Sequence, residues 1–190
     1  MPSLKNSFNE LLERIRHGRE IDYASFEPIY YLVFPPELIL EVKREMPAWT
    51  ARLKNEGWSV HQFSVAKEVI DIFRSAPVRK IWLKAGAASP LDWENATKSL
   101  TNALTNGSLQ NRLEQKLAGL EGENDPILLV TDLEGLHPYM RIGAIEGRLQ
   151  GKFDVPTVFF YPGERMGKTD LRFLGFYQSD GNYRSVHVGG

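Results

Sequence analysis

The sequence predicts an α/β protein: a mainly parallel sheet covered by helices on both sides. Three observations carry that expectation. Short β-branched and aromatic runs, Ile29–Phe34, Ile127–Thr131 and Thr157–Tyr161, are apolar at every position rather than at alternate ones, as strands buried on both faces require. Stretches with apolar residues at three-and-four spacing separate them. Strands alternating with helices need crossover connections, which are right-handed and make neighbouring strands parallel.

Leu4, Phe8, Leu11, Leu12 and Ile15 form one apolar stripe, predicting a helix over 3–18 with Gly18 as its stop. Residues 21–28 read as a polar linker onto the first strand, Ile29–Phe34. Pro35-Pro36 ends that strand, and Pro36 opens a helix carrying Leu38, Val42, Met46, Trp49 and Leu53, which Pro47 is expected to kink or restart. Ser59–Val65 alternates like a strand, and Val65, Val69, Ile72 and Phe73 mark a short helix after it. Ile81-Trp82-Leu83 is ambiguous. Ser89 is the expected cap of a further helix with Pro90 in its first turn. Leu100, Leu104, Leu109, Leu113, Leu117 and Leu120 continue the helical signal, with a break at Asn106-Gly107-Ser108. After the Ile127–Thr131 strand, Pro138–Leu149 reads as a helix and Thr157–Tyr161 as a strand stopped by Pro162-Gly163. The chain then ends in hairpin-like strands over about 170–188, with Asp180-Gly181 as the turn. With no repeat, low-complexity run or composition break, 1–190 reads as a single α/β domain.

Composition narrows the function classes. Lys and Arg number 23 against 24 for Asp and Glu, a net charge of −1, which argues against a generally basic nucleic-acid coat. The absence of cysteine removes disulfide scaffolds, thiolate metal sites and cysteine nucleophiles. The N-terminus lacks a signal-peptide pattern and no apolar stretch approaches the ~20 residues that span a bilayer, so a cytoplasmic protein without a membrane partner is expected.

The motifs that bear chemistry are incomplete. Gly163-Glu164-Arg165-Met166-Gly167-Lys168-Thr169 resembles a phosphate loop but has three residues between its glycines where four are needed. A strand-like segment follows it where a helix N-terminus should face the anion, so it reads as a hairpin-like loop. Asp132 and Glu134 follow an apolar strand as the carboxylates of an ATPase do, and Thr157–Tyr161 sits where a sensor strand would. The first strand is nevertheless followed by Pro35-Pro36, which lack the N–H groups of a phosphate cradle. The expectation is an ATPase-like layout without a phosphate-binding loop, with Asp132, Glu134 and Lys168 as weak candidates for nucleotide binding.

None of His17, His61, His137 and His187 sits at metal-ligand spacing with another, although His137 with Asp132 and Glu134 defines a loop on which a site is conceivable. No G-x-S-x-G elbow presents a serine nucleophile. Trp49, Trp58, Trp82 and Trp93 read as core or interface residues rather than base-stacking platforms. Arg165, Arg172, Tyr183 and Arg184 read as a solvated, charged edge. Arg141 is expected to pair with Asp132 or Glu134. These four arginines and Tyr183 are the candidates for an interaction surface. Catalytic residues, metal and cofactor are expected to be none.

Pro126–Val130, Gly135-Leu136-His137-Pro138-Tyr139-Met140-Arg141, Pro156–Gly163 and Asn182-Tyr183-Arg184 together resemble the BrxB family of BREX phage-defence systems. The resemblance spans most of the chain and is sharpest from Pro126 onward, above all in Pro156-Thr157-Val158-Phe159-Phe160-Tyr161-Pro162-Gly163. It implies a bacterial antiviral role inside a multi-protein complex that includes a methyltransferase, an AAA+ ATPase and the phosphatase-like PglZ. It brings no catalytic residues with it. The implied role is a scaffold or adaptor docking onto PglZ or the ATPase, with DNA met only indirectly. The alternatives are a degenerate nucleotide-binding or hydrolysing protein and a nucleic-acid-binding accessory protein.

Overall fold

A computed structural model describes residues 3–20, 27–167, 170–181 and 185–190. Five parallel strands form its centre: β1 (Ile29–Phe34), β2 (Ser59–Ser64), β3 (Pro126–Thr131), β4 (Thr157–Met166) and β7 (Val186–Gly189), in the order β2-β3-β4-β1-β7. The far end of β4 turns back antiparallel onto β5 (Asp170–Phe173), which pairs with the two-residue β6 (Asp180–Gly181).

Side chains on successive strand residues point to opposite faces, and here both faces are buried. Tyr30, Leu32 and Phe34 of β1 join Ile127 and Leu129 of β3 and Val158 and Phe160 of β4 under α1 (Leu4–Glu20) and α2 (Ile39–Asn55). There Phe8 of α1, Trp49 of α2 and Phe160 stack with ring centroids 4.4 and 5.9 Å apart. On the other face Tyr31, Val33, Leu128, Val130, Phe159 and Tyr161 meet α3 (Val65–Ser75), α5 (Trp93–Thr105) and α6 (Ser108–Ala118). Two further helices complete the set, α4 (Arg79–Ala88) and the short α7 (Gly143–Glu146). The expected break between α5 and α6 falls at Gly107, whose φ of +97° is the left-handed conformation glycine adopts without a Cβ penalty. No helix among the described residues is long and apolar enough to cross a membrane.

Several boundaries differ from expectation, each for a local reason. Gly18 does not stop α1, because a glycine costs only about 1 kcal/mol and Phe8, Leu11, Leu12 and Ile15 anchor the helix by burial. Residues 21–26 of the expected linker lie outside the described residues. Helix α2 runs without restarting across Pro47. The ambiguous Ile81-Trp82-Leu83 lies in α4. Helix α5 begins at Trp93 rather than at Ser89: the Ser89 N–H closes α4 on the Ala85 carbonyl, and the Asp92 carboxylate caps α5 by accepting from the Asn95 N–H at 3.3 Å. The helix expected over Pro138–Leu149 shrinks to α7. Pro138, Gly143 and Gly147 are weak helix formers, and tight turns such as Ile145 N–H to the Ile142 carbonyl still bury Ile142, Ile145 and Leu149.

Pro162-Gly163 does not end β4. Pro162 pairs with Phe34 in the parallel sheet and accepts from the Leu174 N–H at 2.9 Å, and Gly163 opens the pairing with Phe173. Asp180-Gly181 is strand rather than turn. The chain reverses instead where Leu174 and Gly175 take φ of +54° and +75°. The C-terminal strands therefore separate: β5 and β6 extend the β4 hairpin, while β7 joins the parallel sheet beside β1.

Candidate functional site

Parallel sheets present their ligand-binding crevice at the carboxyl ends of the strands. Here that edge holds a pocket of about 220 Å³ between the ends of β1, β2 and β3 and the side of α2, lined by Phe34, Lys43, Ser64, Asp132 and Glu134 among others. Asp132 leaves β3 in the left-handed conformation, φ +59°, which swings its carboxylate back over the strand end. Its Oδ2 accepts from the hydroxyls of Ser64 at 2.6 Å and Thr131 at 2.9 Å, and its Oδ1 lies 2.8 Å from the Lys43 ammonium. Lys43 also reaches Glu134 Oε1 at 2.7 Å. Ser64 serves twice, since it also caps α3 by accepting from the Lys67 N–H. Gly135 lets this turn lie on α3, where a Cβ would stand 2.8 Å from the Ala66 Cα.

Burial pushes the Asp132 carboxyl up, but donation from Lys43, Ser64 and Thr131 outweighs it and leaves it below the ordinary range. Burial lowers Lys43, and its bonds to Asp132 and Glu134 more than restore it. The result is a partly charge-compensated cluster. One ammonium bridges the two carboxylates and offsets half of their charge, and both oxygens of Asp132 are already engaged. On the adjoining strand end, Pro35 and Pro36 lead into a 3-10 turn, Pro36–Leu38, in the place where a glycine loop would supply N–H donors.

The sequence places Asp132 and Glu134 together correctly but misses Lys43. Its signal is faint: a lysine one position beyond Val42 of the buried stripe, on the helix that follows the first strand. Arg141 is not their partner. It donates to the Gln178 carbonyl at 3.1 Å and lies 5.7 Å over the Tyr177 ring. His137 is drawn away as well, its Nδ1 2.6 Å from the Tyr177 hydroxyl, and among the described residues no three His, Asp or Glu side chains converge to hold a metal. Lys168, Thr169, Tyr183 and Arg184 lie outside the described residues.

Gly163–Met166 of the motif lie in β4 where it pairs with β5, and among the described residues no helix follows. Arg165 stands opposite Leu171 and Arg172 opposite Glu164, so the two arginines project from opposite sides of that hairpin and form no common patch. Arg172 pairs with Glu164 at 3.6 Å, and Arg165 donates to the Gly189 carbonyl of β7. A Ser-His-Glu group occurs at the start of β2, but Ser59 Oγ and Glu123 Oε2 both meet the same nitrogen of His61, at 3.1 and 2.7 Å. A nucleophilic relay needs them on opposite nitrogens, so the group ties β2 to the loop before β3.

A second feature lies on the helices that follow β2. Helices α3, α4 and α5 enclose an apolar groove of about 570 Å³. Trp82 lines it, donating its indole N–H to Ser99 at 3.1 Å and meeting Phe73 edge-on. Trp49 and Trp58 are buried, as expected of core residues, whereas Trp93 is exposed.

A family model described as BREX protein BrxB matches residues 63–188, from β2 through β7. No curated protein and no solved structure matches the chain.

Proposed function

The chain belongs to the BrxB family and is therefore a component of a BREX phage-defence system, and on that premise we propose that it serves as a non-catalytic adaptor that docks onto PglZ or the AAA+ ATPase of the system. The observation that carries this reading is the Lys43–Asp132–Glu134 cluster. The edge where an α/β protein of this layout would bind and cleave nucleotide is occupied by internal ion pairs and fed by a proline-bounded turn. Arg172 and Arg165 of the C-terminal hairpin engage Glu164 and the Gly189 carbonyl, which supports protein partners over direct DNA contact. Co-purification tests it: with the system's components co-expressed, a tagged copy of the chain retains PglZ, the ATPase or both through a gel-filtration step, and retention of neither contradicts the reading.

The meeting of two carboxylates and a lysine at the carboxyl end of the sheet favours a second reading, a degenerate nucleotide-binding protein. Isothermal titration with ATP and magnesium separates the two. The adaptor reading expects no heat of binding, and binding lost on Asp132→Ala establishes the alternative.

A further inference from the structure

The groove between α3, α4 and α5 is an unpartnered surface with a charge signature. Its floor is Ile70, Phe73, Trp82 and Leu100, and the small Ala85 and Ala96 let a partner approach the backbone closely. Around it Ile81 is 64% exposed, Leu83 58%, Leu91 90% and Trp93 68%, and α4 buries none of its residues. Single exposed apolar side chains are ordinary. Four such residues clustered with an apolar groove are the mark of an interaction site.

The charges say what kind. Arg74 and Arg79 line the groove, and among the described residues neither has an ion-pair partner. Arg14, Arg16, Lys43, Arg52, Arg112, Lys152 and Arg172 all have one. The acidic residues of the α4–α5 segment are Asp92 and Glu94, and the Asp92 carboxylate is committed to the Asn95 N–H and side-chain amide. The groove's two lining arginines thus leave uncompensated positive charge beside an apolar surface. The shape of the occupant follows from backbone chemistry. Three helices with internally bonded backbones offer no strand edge, so an extended segment laid there would leave its own N–H and C=O groups unpaired, whereas a helix satisfies them internally.

We propose that this groove receives an acidic amphipathic helix of another protein of the defence complex, with apolar residues at i, i+3 or i+4 and i+7 on the groove floor and flanking Asp or Glu side chains on Arg74 and Arg79. The assignment rests on the adaptor reading and names the surface and the partner chemistry it requires.

The test uses the assembled complex with a photo-crosslinking residue in place of Leu83, beside the variants Leu83→Asp and Arg79→Glu. The expected result is a crosslink into a helical partner segment rich in Asp and Glu. Each variant should lower retention of that partner at least tenfold, with far-ultraviolet circular dichroism unchanged, and retention should weaken as salt rises. Full retention by both variants with no crosslink overturns the groove assignment and leaves the adaptor reading standing. Failure of the unmodified chain to retain any component overturns both. A crosslink between two copies of the chain, or Leu83-dependent binding to phosphatidylglycerol vesicles, assigns the groove to a second copy or to a lipid surface and overturns the proposal.

Discussion

His187 stands beside Tyr31 in the β1–β7 pairing, its ring edge-on to the tyrosine at 5.5 Å and its Nε2 3.0 Å from the Ser185 hydroxyl. Burial first, and the charge of Arg165 second, hold its pKa down at about 4. The unfolded imidazole titrates near 6.5, so between these values the unfolded chain binds a proton that the folded chain refuses. The contribution is whole above pH 6.5 and is lost as pH falls toward 4, up to about 3 kcal/mol. Urea unfolding at pH 7, 5.5 and 4.5 should show this loss, and His187→Gln should flatten it. Lys43 acts in another window. Its pairing holds Asp132 low, a contribution present above the ordinary carboxylate pKa of 3.8 and lost as pH falls below it. Lys43 is half exposed, so Lys43→Met should cost about 1 kcal/mol at neutral pH. The variant's deficit should shrink as pH falls below 3.8, because protonation of Asp132 removes the charge that Lys43 pairs with. A deficit independent of pH would show that the pairing contributes no charge compensation.

At the scale of elements, β4 changes partners at one residue. Before Gly163 it lies between β1 and β3, and from Gly163 onward it pairs with β5. A Cβ on Gly163 would stand 2.2 Å from the Arg172 carbonyl oxygen and 2.6 Å from Tyr161 Cε1, a backbone and an aromatic atom that yield poorly. Gly163→Ala should therefore cost about 2–3 kcal/mol, read as a lowered denaturant midpoint, and a neutral effect would mean that the hairpin shifts freely against the sheet. Helix α4 is the opposite case. It buries no side chain and is held to its neighbours by Trp82 through Ser99 and Phe73. Its amides should exchange with deuterium well before those of α2 and α6 in the free chain, and should slow when a partner covers the groove. Equal protection of α4 and α6 in the free chain would contradict that ranking.

Across the whole molecule, what was legible in the sequence is what burial dictates. Ile29–Phe34 and Ile127–Thr131 are apolar at every position because helices cover both faces of the sheet, and the leucine stripe from 100 to 120 breaks where Gly107 takes a left-handed φ. Elements set by short-range competition were harder to see. Nothing in Ser89-Pro90-Leu91-Asp92 says which residue caps α5 until the Ser89 N–H is known to close α4. The turn at Leu174-Gly175 has none of the usual Asn-Gly or Asp-Gly chemistry. The candidate site was half legible. Asp132 and Glu134 lie two positions apart in the sequence, but Lys43 joins them across about ninety residues through the β1–β4–β3 arrangement. The groove was invisible because an exposed apolar helix and a buried one share the same periodicity. On the adaptor reading proposed above, the chain works through its surface rather than through a reaction at its sheet edge. Phage protection by the complete defence system, carried by cells whose own copy of this chain is replaced, tests that claim most directly. The account predicts that Asp132→Asn with Glu134→Gln retains protection while Leu83→Asp with Arg79→Glu loses it at equal protein level. Protection lost in the carboxylate variant and kept in the groove variant would contradict it.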